Sequence, residues 1–204
     1  MLSYQTIEPH TLELLRQLMA EPSLSVTRLV GGTSLALQYG HRNSVDLDFF
    51  GALDDDLYNI RNCLTNIGHL SILKETKTIR IYDLDGIKID TVDYTRYPWI
   101  TDPVVEDGLI LASPKDIAAM KINAIEGRGT RKDFVDVYYL LQHYSLSDIL
   151  GFYQEKYPEY SLFRALMSLT YFEDAEKQMM PKMFAKESWD EMKSFIINEV
   201  EKIR

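Results

Sequence analysis

The 204-residue chain has one cysteine, Cys63, so no disulfide forms within it. That usage fits a reducing compartment. Ile60, Leu64 and Ile67 around it mark Cys63 as a core residue rather than a nucleophile. Positive charge is also scarce: 22 Lys and Arg stand against 31 Asp and Glu, for a net charge of −9. A sequence-blind nucleic-acid binder needs a basic surface to displace counterions, so that class is disfavoured, although a local basic patch stays open. No apolar run is long enough for a membrane span. No basic segment followed by an apolar one opens the chain, so no signal peptide is expected and the expected location is the cytoplasm. His10, His69 and His143 lack metal-ligand spacing, which argues against zinc. No Ser-His-Asp or Cys-His set has supporting spacing. Repeats, low-complexity tracts and long linkers are absent.

What is present is ordinary for a folded protein: 46% hydrophobic and 26% charged residues. The length suits one large domain or two small ones. Texture changes once, near Ser113, from short strand-like runs to helical spacing. Helices are expected over 9–19, 33–39 (stopped by Gly40) and 54–67, and strands over 26–30, 45–49, 70–74, 78–82, 87–92 and 109–111. Asp85-Gly86 signals a tight hairpin. Ser113-Pro114-Lys115-Asp116 combines a capping serine, a proline at the first helical position and a nearby acid, so a helix starts there. Further helices are expected over 131–143, 146–156, 159–172 and 188–203. The expected fold class is α+β: a small mixed sheet with flanking helices over 1–112, followed by a helical bundle over 113–204.

Two acidic positions stand out. In Asp46-Leu47-Asp48, alternate strand residues project to one face, so both carboxylates point together while Leu47 faces the core. Strands disfavour Asp, yet a third, Asp90, recurs in the apolar run Ile87-Lys88-Ile89-Asp90. Carboxylates placed side by side repel unless a cation lies between them. Magnesium takes oxygen ligands and bridges carboxylates to substrate phosphates. If the two strands pair, Asp46, Asp48 and Asp90 converge as metal ligands. Asp90 would then accept a proton from an attacking hydroxyl or help to hold a second ion. Asp93 competes for that place, on the opposite face of a regular strand. Each Asp-x-Asp alone reads equally as a solvated strand residue beside a turn cap.

Gly31-Gly32-Thr33-Ser34 ends a strand and begins a helix. Glycines permit a sharp turn and close approach to a ligand. Free N–H groups at a helix start, with hydroxyls beside them, suit the phosphates of a nucleoside triphosphate. A plain turn capped by Thr33 or Ser34 is the alternative.

Lys121 shares a helix face with Ile117, Ala118, Ala124 and Ile125. It either snorkels to the surface or pairs with an anion, such as a phosphate. Asp133 and Asp136 lie one turn apart on the next helix. One of them pairs with Lys121 or Arg42, assists catalysis, or complements the helix dipole. Arg128, Arg131 and Lys132 form the most basic local cluster, read as a guide for a polyanion or as a solvated helix entry. Arg42 neutralises a carboxylate or contacts phosphate, and His41 reads equally as a structural hydrogen-bonder.

Gly31-Gly32-Thr33-Ser34-Leu35-Ala36-Leu37 with His41-Arg42-x-Ser44-x-Asp46-Leu47-Asp48-Phe49-Phe50 resembles the AbiEii/AbiGii-type toxins of the nucleotidyltransferase superfamily. The segment from Asp116 to Ala124 resembles that family's lysine motif, and the one from Arg128 to Tyr138 its following acidic motif. The match runs through most of 26–142. The resemblance implies a two-lobed enzyme that moves a nucleoside monophosphate from an NTP to an acceptor hydroxyl. It implies magnesium as cofactor, one or two ions, and a toxin of a toxin–antitoxin or phage-defence system with an antitoxin partner. It offers tRNA as acceptor. Roles carried over are Asp46, Asp48 and Asp90 for metal and catalysis, and Gly31, Gly32, Thr33, Ser34 and Arg42 for nucleotide. Lys121 would contact phosphate from the second lobe, and Asp133 would assist. A small-molecule nucleotidyltransferase and a silent nucleotide- or partner-binding module are the alternatives.

Overall fold

The computed structural model describes residues 1–53 and 57–203. It divides into two compact units, Met1–Gly40 with Ser44–Pro98 and Pro103–Ala112, and His41–Asn43 with Trp99–Asp102 and Ser113–Arg204.

The first unit is built on one sheet. Its strands are β1 (Thr27–Leu29), β2 (Leu47–Gly51), β3 (Leu70–Glu75), β4 (Ile79–Leu84), β5 (Ile87–Asp93), β6 (Val104–Glu106) and β7 (Leu109–Leu111). They lie in the order β3-β4-β5-β2-β1-β7-β6. The sheet is mixed: β2 runs parallel to β5 and antiparallel to β1, and β1 runs parallel to β7. Helices α1 (Pro9–Met19), α2 (Gly31–Tyr39) and α3 (Leu57–Ile67) belong to this unit. The beginning of the helix expected over 54–67 lies outside the described residues. One face of the sheet is apolar: Leu47, Phe49, Tyr82, Leu84 and Ile89 join Leu15, Leu18 and Leu64 in the core. The alternate residues Asp48, Phe50, Lys88 and Asp90 lie on the other face and are half-buried. The period-2 pattern thus decides which chemistry stays reachable.

Two hairpins carry the left-handed turn conformation that favours glycine. Asp85-Gly86 joins β4 to β5, with φ of 52° and 84°. Asp107-Gly108 joins β6 to β7, with φ of 52° and 79°. The strand at Val104–Glu106 was not among those expected, although Asp107-Gly108 carries the same signal. Gly40 ends α2 at φ 70°, its N–H bonded to the Ala36 carbonyl.

The second unit is helical: α4 (Pro114–Gly127), α5 (Arg131–Leu140), α6 (Leu146–Lys156), α7 (Leu162–Ser168), α8 (Glu173–Glu176) and α9 (Trp189–Glu201). Ser113 caps α4 by accepting from the Asp116 N–H, and Ser145 and Ser188 form capping boxes at α6 and α9. The helix expected over 159–172 is shorter, Leu162–Ser168, because Ser161 accepts from the Arg164 N–H and starts α7 late. Ile117, Ala118, Ile122, Phe134, Val137, Leu140, Ile149 and Tyr153 are buried inside this unit. Beside them Lys156 is fully buried, with its ammonium 2.8 Å from Asp116 Oδ1 and 4.7 Å from the Trp99 ring centroid. Asp116 also accepts from the Ile100 and Thr101 N–H groups and from the Ser113 hydroxyl. These bonds fasten Trp99–Asp102 to the helices.

Candidate active site

In the sheet unit the strand from β1 turns at Gly31 into α2. Gly31 has φ 68°, and a Cβ there would lie 2.4 Å from Asp48 Oδ2. Only glycine therefore leaves room for the Asp48 carboxylate against the start of α2. No side chain caps that helix start, so its first N–H groups and the positive end of its dipole are available to an anion. The Val30 N–H donates to the Asp48 carbonyl at 2.8 Å, which fixes β2 beside the turn.

The strand pairing that convergence requires is present. In the parallel ladder Asp48 stands opposite Asp90, and Leu47 opposite Ile89. Adjacent strands are about 4.8 Å apart, so two carboxylates share one patch of the open face. The Lys88 ammonium lies 2.6 Å from Asp90 Oδ2 and offsets part of the repulsion. Asp90 Oδ1 is buried and has no hydrogen-bond partner. A buried carboxylate oxygen without a donor favours a cation, so the oxygen chemistry of Asp48 and Asp90 suits a hard divalent ion such as magnesium.

β2 begins at Leu47, one residue after Asp46. The Thr33 hydroxyl donates to the Asp46 carbonyl and lies 2.9 Å from the Ser44 hydroxyl, which holds the segment leading into β2. Among the described residues no three His, Cys, Asp or Glu side chains are grouped so as to hold one ion. Of the three carboxylates expected to converge, Asp48 and Asp90 are ladder partners, and Asp46 lies one residue before β2. Asp93 accepts from the Thr95 N–H and hydroxyl at 3.0 and 2.7 Å, bonds that hold its carboxyl below the usual range. It serves the turn after β5. Thr33 and Ser34 are both buried, and Ser34 Oγ accepts from the Gln38 amide. Their hydroxyls are engaged inside the unit.

The lysine and acidic motifs meet inside the helical unit. Lys121 Nζ lies 2.9 Å from Asp133 Oδ1 and 2.6 Å from Asp136 Oδ2. Asp136 receives a two-pronged bond from Arg42, Nε to Oδ1 at 2.7 Å and Nη2 to Oδ2 at 2.8 Å. His41 Nε2 lies 2.8 Å from the same Oδ1. Asp133 accepts from Arg128 and from the Thr130 hydroxyl. Burial alone would push the Asp136 carboxyl up, but Arg42 and Lys121 overcome it and hold it well below the carboxylate range. Burial likewise opposes the Lys121 charge, and Asp136 and Asp133 together hold its pKa up. For His41 burial wins over Asp136, so its pKa is lowered and the imidazole is neutral at pH 7.

Lys121 and Arg42 thus spend their polar ends on carboxylates of their own unit. Of the basic cluster, Arg128 bonds Asp133, and Arg131 bonds the carbonyls of Ala175 and Glu176 and stacks over Trp189 at 4.9 Å. Sequence reasoning missed Lys88. Its signal was present, since residues two apart on one strand share a face.

A family model described as "Nucleotidyl transferase AbiEii toxin, Type IV TA system" matches residues 13–202. A protein of Aquifex aeolicus (strain VF5), called uncharacterized protein aq_aa25, is 34% identical over 178 residues, covering 84% of this chain and 85% of its own length. The crystal structure of JHP933 from Helicobacter pylori is similar in fold, with a TM-score of 0.57 at 18% identity, covering 97% of this chain and 93% of that one. The family model spans nearly the whole chain, and the chain belongs to the AbiEii nucleotidyl transferase toxin family and is a nucleotidyltransferase.

Proposed function

We propose that this chain transfers a nucleoside monophosphate from an NTP to an acceptor hydroxyl, with magnesium as cofactor, at the face formed by Gly31, Asp48 and Asp90. The observation that carries the reading is the placement of Asp48, opposite Asp90 and against the only residue type that fits at position 31. Asp48 and Asp90 are the residues to hold magnesium, with Asp46, two residues before Asp48, as the third acidic group. The ion, when bound, neutralises phosphate charge and polarises the α-phosphoryl group.

The chain's own residues do the rest. N–H groups at the start of α2 bind phosphate oxygens and hold the departing pyrophosphate. Asp90 orients the acceptor hydroxyl and accepts its proton as the oxygen attacks phosphorus in line. Arg42, Lys121 and Asp133 are positioning residues on this reading, because their charges are spent within one buried cluster.

Family membership supports a toxin role with a cognate antitoxin; a place in phage defence, a tRNA acceptor and a cytoplasmic location are proposed besides. Among the described residues no helix is long and apolar enough to cross a membrane. Incubation with each α-labelled NTP and total cellular RNA, or total protein, tests the acceptor. Label on tRNA-sized RNA is expected; label on a small molecule alone would replace tRNA with that class of acceptor.

Gly31→Ala tests the turn. The added Cβ meets the Asp48 carboxylate, and φ 68° strains any L side chain. Transfer is expected to fall by about a hundredfold or more with the circular dichroism spectrum unchanged. Wild-type rates in that variant would remove the turn from the site.

A further inference from the structure

Lys88 stands at the carboxylate pair, and neither the motifs nor the proposed reaction accounts for it. It precedes Asp90 by two positions on β5 and shares its face. Its ammonium lies 2.6 Å from Asp90 Oδ2, and its side chain is 41% exposed against 19% for Asp90. The other carboxylate oxygen, Oδ1, is buried without a donor. Asp48, the ladder partner, brings a second negative charge to the same patch. The ammonium on Oδ2 cancels part of the negative charge that the two carboxylates would offer a divalent ion.

We infer that Lys88 occupies the ion site in the nucleotide-free enzyme and makes ion binding conditional on the triphosphate. The ammonium neutralises Asp90 until a divalent ion arrives with the negative charge of the NTP. The flexible, part-exposed lysine stem then lets the ammonium yield Oδ2 to the ion. An enzyme built this way binds the ion–NTP complex more tightly than the bare ion. The inference rests on Asp48 and Asp90 being the ion-holding pair, and the experiment separates the two ideas.

Binding of Mn2+ alone, with no nucleotide, is followed by loss of the free-ion electron paramagnetic resonance signal. Lys88→Met is expected to bind Mn2+ at least about tenfold more tightly than wild type, because one repelling charge is gone. Lys88→Arg keeps the charge and is expected to match wild type. Adding Asp48→Asn to Lys88→Met is expected to erase the gain. If Lys88→Met binds no more tightly than wild type while Asp48→Asn weakens binding, the role given to Lys88 is overturned and the ion site stands. If Asp48→Asn changes nothing in either background, the ion site itself is overturned. Position 88 is part-exposed, and a urea midpoint near that of wild type checks that each variant is folded.

Discussion

Asp48→Asn is expected to lower nucleotidyl transfer at least about a thousandfold while the protein stays folded. The substitution keeps the side chain's volume, so its fit against Gly31 survives. What disappears is the negative charge that faces Asp90 across the ladder. Removing one of two adjacent like charges relieves repulsion, so the urea midpoint should hold or rise. Asp46→Asn provides the contrast. Asp46 precedes the regular strand and contributes its backbone carbonyl to Thr33, a bond the variant keeps. A smaller loss, about tenfold, is expected there. Steady-state rates with saturating NTP check both, and equal losses would show that Asp46 is a full partner of Asp48 during turnover.

Asp136→Ala is the substitution with the largest expected effect on stability. The Asp136 side chain is fully buried and pairs with both Arg42 and Lys121. Its removal leaves two buried cations short of a partner, and such losses cost about 3–5 kcal/mol. Urea denaturation measures this. The double variant Arg42→Met with Asp136→Leu should recover part of the loss, because it removes charge and counter-charge together. A loss under about 1 kcal/mol for Asp136→Ala would mean that the cluster is not holding the helices.

Acid should weaken the same cluster in two stages. The His41 pKa is lowered on folding, so its contribution is present above its unfolded value of about 6.5 and is lost as pH falls below it. Asp133 and Asp136 are also lowered, and their contribution persists until pH falls below about 4, then is lost. His41→Gln should flatten the first stage and spare the second.

Local chemistry was legible in the sequence wherever a few neighbouring residues decide the outcome. Ser113 as a cap, Gly40 as a stop and Asp85-Gly86 as a hairpin all follow from backbone sterics within four residues. Asp107-Gly108 carried the same signal, but the strand before it is three residues long, too short for its pattern to stand out. The site was legible in outline, because two acids in apolar strands and a glycine turn are locally unfavourable choices. Its register was not, since the Asp48–Asp90 pairing depends on strands 42 residues apart in sequence. Asp46 was assigned to the strand because an alternating pattern does not reveal where regularity begins. Lys121 could be seen to need an anion. Asp133 and Asp136 were candidates for that anion; that both pair with Lys121, and that Asp136 is shared with Arg42 and His41, comes from packing between distant segments.

The fate of the two ends of the triphosphate tests the proposed chemistry most directly. The enzyme is incubated with acceptor RNA and magnesium, with the NTP labelled at the α-phosphate in one reaction and at the γ-phosphate in the other. Transfer of a nucleoside monophosphate predicts α-label joined covalently to RNA and γ-label released as pyrophosphate in equal amount, with both signals lost in Asp48→Asn and Asp90→Asn. γ-Label on the RNA, or α-label joined at the wild-type rate without Asp48, would contradict it.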